Sequence, residues 1–300
     1  MNRSKGSPSL IGIYEAAGIS KQAHVQYMNR RCGDETISRL VVNLILEVRS
    51  IHSVMGLKKI YQLLQPDGVG RDRFVDIGME NGLGAKIIKS FRRTTFSTKS
   101  KWFINLTAGL EINDINQVWV SDITYFQIGD RFCYLTFIVD VYSRRIIGYE
   151  ASNDLRAESN CLALKSALRA RFGHDLRGVI HHSDRGSQYA SNNYLKMLSD
   201  NAIAVSMCDT VYENTHMERV NGIIKNEYLI HYKIKSLEEL KKGLKRAVRL
   251  YNEERPHWSL YCKSPASYEA DLVKVEIQDR DILSIYSEPG KYYMTQLFDS

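Results

Sequence analysis

The chain has 300 residues, 44% hydrophobic and 25% charged, with 41 Lys and Arg against 34 Asp and Glu, a net charge of +7 and a pI near 9.0. These proportions are ordinary for a soluble globular protein of about two domains, and the positive balance favours a polyanionic partner. No run approaches the ~18 apolar residues of a membrane span, the N-terminus lacks the apolar core of a signal peptide, and Cys32, Cys133, Cys161, Cys208 and Cys262 are odd in number with no CxxC pair, so neither a membrane span nor a disulfide framework nor a structural zinc site is indicated and a reducing, cytoplasmic setting is expected.

Ser9–Ala17 reads as a short helix carrying Leu10, Ile13 and Tyr14 on one face. Gly18-Ile19-Ser20 turns the chain, and Ser20 can cap a second helix, Lys21–Arg30. Helix, glycine turn, helix is the helix-turn-helix pattern. It puts Lys21, Gln22 and His24 in the first turns of a recognition helix and makes Lys21 and Gln22 candidate DNA contacts, although any αα-hairpin would look the same. This first segment spans residues 1–34.

A second helical unit covers residues 35–100. Ile37, Leu40, Val41, Leu44, Ile45 and Val48 recur at the spacing of an amphipathic helix. Helices are expected at Leu57–Leu64 and Arg71–Glu80, with Pro66-Asp67-Gly68 as the turn between them and Gly82 and Gly84 closing the unit. Residues 86–101 then hold Lys86, Lys89, Arg92, Arg93, Lys99 and Lys101 and no acid. Such a stretch is either a solvated linker or a connector along a phosphate backbone, the second making Arg92 and Arg93 DNA contacts.

From Gln117 the period changes. Val118–Phe126, Phe132–Val141 and Ile146–Glu150 are β-branched and aromatic and are separated by short turns, as in an antiparallel meander. Helix Ala157–Phe172, strand Gly178–Ser183, helix Gln188–Asn201, strand Ala204–Met207 and helices Asn214–Leu229 and Leu237–Glu253 follow. Three antiparallel strands and then two more strands alternating with helices is the order of an α/β, ribonuclease-H-like core with a mixed five-stranded sheet, spanning residues 112–270 behind an all-α region. Residues 271–300 form a tail with no assigned role.

Three acids are placed for chemistry. Asp122 sits mid-strand with Val120 and Thr124 on its face, where a lone carboxylate is costly to bury. Asp184 ends the run Val179-Ile180-His181-His182-Ser183, where a strand delivers a side chain to the carboxyl edge of a sheet; alone it would read as a turn or capping residue. Glu218 shares a helix face with Asn214, Asn221 and Lys225, and competes with a capping-box role for Thr215-His216-Met217-Glu218 and with Glu213 as the acid. Clustered carboxylates are stable only around a proton or a cation, and hard ions with oxygen ligands, Mg²⁺ or Mn²⁺, suit them. His181 and His182 face opposite sides of a strand and are read as structural, Asp140 as a capping residue at a strand end, and the His174-x-x-Arg177 pattern as a turn.

The chain resembles the OrfB-type DDE transposases of the insertion-sequence family IS-three, relatives in fold of retroviral integrases. The resemblance rests on Val118-Trp119-Val120-Ser121-Asp122-Ile123-Thr124-Tyr125, Phe137-Ile138-Val139-Asp140-Val141-Tyr142-Ser143-Arg144 and His182-Ser183-Asp184-Arg185-Gly186-Ser187-Gln188-Tyr189. Glu213-Asn214, Glu218, Lys225-Asn226-Glu227, Tyr251-Asn252, Arg255-Pro256-His257, Leu260 and Ser264-Pro265 continue it. Sixty-one residues separate Asp122 from Asp184 and 33 separate Asp184 from Glu218, close to the family's spacing. The match implies that Asp122, Asp184 and Glu218 bind two Mg²⁺ ions, with Mn²⁺ able to substitute, and that the enzyme nicks the ends of its own element and joins the freed 3′-hydroxyl to another phosphate. It further implies that Lys225 contacts the element end, with Asn221 and Arg185 as neighbouring candidates, and that the N-terminal units grip the terminal inverted repeats. The expected partners are DNA, further copies of the chain on DNA, and an upstream helix-turn-helix OrfA-type protein or fusion; the protein would be nucleoid-associated when bound. Glu213 and Thr215 stand where many relatives carry Asp and Ala. A cellular nuclease of the same fold, or a non-catalytic DNA-binding descendant of a transposase, are the alternatives.

Overall fold

The structure, a computed structural model, describes residue 14 and residues 16–85, 103–207 and 215–285. They fall into two compact units, one within Met1–Ile87 and one within Ile88–Ser300. Among them no helix is long and apolar enough to cross a membrane.

In the first unit α1 (Lys21–Ile51) precedes α2 (Leu57–Leu64) and α3 (Arg71–Glu80). Ser20 caps α1 as expected, its Oγ accepting from the Ala23 amide at 3.1 Å. The helix does not stop at Arg30, however. It runs unbroken through Gly33, so the expected break between residues 34 and 35 falls inside one 31-residue helix. A single glycine costs only about 1 kcal/mol against alanine, and an Arg31–Glu35 ion pair one turn apart spans the junction. Val41, Ile45 and Val48 of the anticipated stripe are buried against Met55, Leu57, Ile60, Phe74 and Ile77. Ile37 and Leu40 stay exposed. The expected helix at Ser9–Ala17 lies largely outside the described residues, as do Arg92, Arg93 and the rest of the basic stretch.

The second unit contains β1 (Glu111–Ile112), β2 (Val118–Ile128), β3 (Arg131–Asp140), β4 (Ile146–Ser152), α4 (Ala157–Ala170), β5 (Ile180–Ser183), α5 (Asn192–Asp200), β6 (Ala204–Met207), α6 (Thr215–Ile223), α7 (Leu237–Glu253), α8 (Pro265–Leu272) and β7 (Leu283–Ser284). The main sheet has the order β4-β3-β2-β5-β6, and β1 pairs with β7 in a separate ribbon. The β2–β3 and β3–β4 pairs are antiparallel, whereas β2–β5 and β5–β6 are parallel. This is the ribonuclease-H-like arrangement.

Alternation along β2 divides the core in two. Val118 and Val120 pack with Phe137, Met217, Val220, Leu244 and Val248 on one face, under α6 and α7. Trp119 packs with Ile138, Ala163, Ala167, Tyr194 and Leu198 on the other, under α4 and α5. The second layer is tight: a Cβ on Gly148 of β4 would collide with the Ala163 carbonyl oxygen of α4, so only glycine lets that helix approach. A buried ion cluster braces the far end of the sheet. Asp140, expected as a cap, accepts from the Tyr142 and Ser143 amides at 3.1 Å and from Asn116 N at 2.7 Å. It also takes Arg171 Nη2 at 3.3 Å, and the same guanidinium donates to Glu269 at 2.5 and 2.9 Å.

Candidate active site

Parallel pairing sets the site. The last paired positions of β2 and β5 are Ser121 and Ser183, and the residue after each is an acid, Asp122 within β2 and Asp184 just past the end of β5. Two acids with 61 residues between them are thus brought together where the carboxyl end of β5 lies beside the middle of β2.

Burial raises the Asp122 carboxyl most, the Asp184 charge adds to this and Glu218 contributes less, and together they push it up to about 7. Burial also raises Asp184, against a hydrogen bond at 3.1 Å from the Gly186 amide. A Cβ on Gly186 would meet Gln188 Oε1 at 2.8 Å and Asp184 Oδ1 at 3.0 Å. The glycine is required there by lack of space next to the carboxylate. Arg185 is half-buried beside it.

Glu218 lies in the first turn of α6 and is exposed. Its charge reaches Asp122, yet among the described residues no group of three His, Cys, Asp or Glu side chains is close enough to hold one ion. Of the two other acids, Asp184 acts on Asp122 more strongly than Glu218 does. Glu213 and Asn214 lie outside the described residues, as does the Thr215 side chain of the expected capping box.

Asn221, expected as a DNA contact, is only 6% exposed, and its Nδ2 donates to Asp122 Oδ2 at 2.6 Å. Its Oδ1 is buried with no hydrogen-bond partner. The amide thus serves Asp122 rather than facing outward. Lys225 stands on the same side: its Nζ donates at 2.8 Å to Thr124 Oγ1, two residues along β2 from Asp122, and lies 5.1 Å from the centre of the Tyr125 ring. Burial lowers the ammonium's pKa and the Asp122 charge opposes the change. Lys225 does not lie on a regular α-helix. After Ile223 the helix widens into a π-turn, Ile224–Tyr228, and then tightens over Leu229–His231. Nothing in the apolar periodicity signals that turn.

The histidines are structural. His181 Nε2 meets Tyr194 OH at 2.9 Å, and burial takes the ring down to about 3, leaving it neutral. His182 Nδ1 meets Ser206 Oγ at 2.8 Å. Behind the acids Ser121 Oγ donates to the Phe137 carbonyl at 3.0 Å and lies 2.9 Å from Tyr189 OH, tying the Asp184–Tyr189 loop to β2. Lys21 and Gln22 lie exposed at the start of α1 in the other unit.

Residues 113–212 match the integrase core domain family, and residues 203–265 match a second integrase core domain family. The chain is 31% identical over 262 residues to the insertion element IS600 uncharacterized 31 kDa protein of Shigella sonnei, covering 84% of this chain and 95% of that one. It is 30% identical over 214 residues to the transposase for insertion sequence element IS629 of Shigella sonnei, covering 68% and 70%. The chain belongs to the DDE transposases of insertion sequences. Among solved structures, the transposase is similar in fold to a chain of the simian T-cell lymphotropic virus intasome in complex with PP2A regulatory subunit B56 gamma, with a TM-score of 0.50, 15% identity and coverage of 75% of this chain and 72% of that one. As an integrase-core transposase it is a polynucleotidyl transferase acting on DNA, the class in which a carboxylate pair at the sheet edge has chemical meaning.

Proposed function

We propose that this transposase is of the OrfB type in the family IS-three, and that Asp122, Asp184 and Glu218 are its catalytic acids, holding two Mg²⁺ ions or Mn²⁺ in their place. It cuts DNA at the terminal inverted repeats of its own element and joins the freed 3′-hydroxyl to a target phosphate. The observation that carries this reading is the Ser121–Ser183 pairing, which makes Asp122 and Asp184 neighbours.

The residues present fit a hard cation. Two carboxylates about 4 Å apart repel by about 4 kcal/mol at an effective dielectric near 20. Without a cation Asp122 relieves this strain by holding a proton up to about pH 7. The oxygen donors suit Mg²⁺ better than a softer ion, and Asn221 Oδ1 adds an unpartnered oxygen beside them. When bound, such ions stabilise charge on the attacking and leaving oxygens of a phosphodiester. Asn221 orients Asp122, Gly186 leaves room for the Asp184 carboxylate, and Lys225 offers its ammonium to a DNA phosphate on the same side. Lys21, Gln22, Arg92, Arg93 and Arg185 are further DNA contacts in this reading.

DNA and further copies of the chain are the partners, with an OrfA-type helix-turn-helix protein or fusion upstream, in a cytoplasmic, nucleoid-associated setting. End-bearing oligonucleotides with Mg²⁺ test the reading. Wild type should give both nicked and joined products, and Asp184→Asn neither, with end binding intact. Nicked ends without joined product would identify a nuclease instead.

A further inference from the structure

The late motif around Arg255 makes contacts that its distance in sequence from the acids would not suggest. Asn252 brackets β4, its Oδ1 accepting from Ile146 N at 3.0 Å and its Nδ2 donating to Ile146 O at 2.8 Å. Three residues later Arg255, 3% exposed, forks onto Glu227: Nε donates to Oε2 at 2.8 Å and Nη2 to Oε1 at 2.7 Å. Glu227 lies in the π-turn, two residues after Lys225. Residues two apart on a helical turn point to nearly opposite sides, so one turn presents Glu227 to Arg255 and Lys225 to Thr124 of β2.

We propose that the Arg255–Glu227 pair is a positioning device for strand transfer: it fixes the rotation of the π-turn and thereby aims Lys225 at the DNA end beside Asp122. π-turns are rare and cluster at functional sites, and this one carries the Lys225 and Glu227 contacts together. A planar fork accepted by both carboxylate oxygens fixes orientation as well as distance, which a lysine in the same place would not do. The inference rests on the proposed role of the acids and of Lys225.

The test is a double-mutant cycle on the full chain, read as single-turnover strand transfer with end-bearing DNA, after melting curves show each variant folded at the assay temperature. Arg255→Lys should lower the maximal rate on the order of tenfold while the DNA concentration for half-maximal rate changes little. In a Lys225→Gln background the same change should cost less than about twofold, because the residue it acts through is already gone. Glu227→Gln should repeat the pattern and serves where Arg255→Lys does not fold. Equal losses in both backgrounds, or no loss in either, would overturn the proposal. Asp184→Asn is assayed alongside. Should it stay active, the reading of the acids fails; should it be inactive while Arg255→Lys is silent, the positioning role alone fails.

Discussion

The Asn221 side-chain amide donates to the Asp122 carboxylate at 2.6 Å, joining the helix after the sheet to the central strand at the point where the acids meet. A hydrogen bond to the ionised form lowers a carboxyl pKa, and here it opposes burial and the Asp184 charge. Asn221→Leu should therefore raise the Asp122 carboxyl above its value of about 7. Carboxyl-carbon NMR titration of the metal-free protein measures this, and an unchanged titration would refute the coupling.

Asp122 also makes stability depend on pH. Its folded pKa is raised above that of an unfolded aspartate, so its contribution is fully present below about pH 4 and is lost as pH rises through about 7. The loss is on the order of 4 kcal/mol. Denaturant midpoints in chelator at pH 5 and pH 8 should differ more for wild type than for Asp122→Asn. Mg²⁺ should restore wild-type stability at pH 8 by replacing the proton. Parallel curves for the two proteins would count against this.

Gly186→Ala places a methyl group 3.0 Å from Asp184 Oδ1. The Gln188 tip can swing away, but the carboxylate must move. The shift required is a few tenths of an ångström; since a displacement near 1 Å at a reacting centre can cost on the order of 100-fold, this one should cost several-fold, whereas a half-buried loop substitution costs stability about 1 kcal/mol. Cleavage should fall several-fold with a melting temperature within a few degrees of wild type. Retained cleavage would show that the loop absorbs the methyl group.

Arg171 is 2% exposed and pairs with both Asp140 and Glu269. Arg171→Met takes the paired guanidinium from buried Asp140 and leaves Glu269 with Arg145, and should destabilise the second unit by about 3 kcal/mol. Glu269→Gln, which keeps hydrogen-bonding capacity, should cost less. Urea denaturation separates the two, and equal midpoints would mean that the cluster is not the brace it resembles.

Much of both units was legible in sequence because the signals are local. Helices at 57–64, 71–80 and 237–253 and the strand at 204–207 have the expected bounds, since apolar periodicity, caps and turn residues act within a few positions. Strand alternation likewise placed Asp122 with Val120 and Thr124. The single helix through Gly33 was not legible, because a glycine followed by acids reads as a boundary until the i,i+4 pairing across it is seen.

The sequence by itself determined that acids at 122, 184 and 218 sit at strand and helix positions suited to one sheet edge, and which faces are apolar. Only the tertiary structure decided how they meet. The Ser121–Ser183 register is a pairing between distant segments, and it makes Asp122 and Asp184 neighbours. The same holds for Asn221 on Asp122, for Arg171 between Asp140 and Glu269, and for the π-turn that Arg255 holds through Glu227. Each is a contact between segments whose separation is set by packing, and packing is the one quantity that local periodicity does not encode.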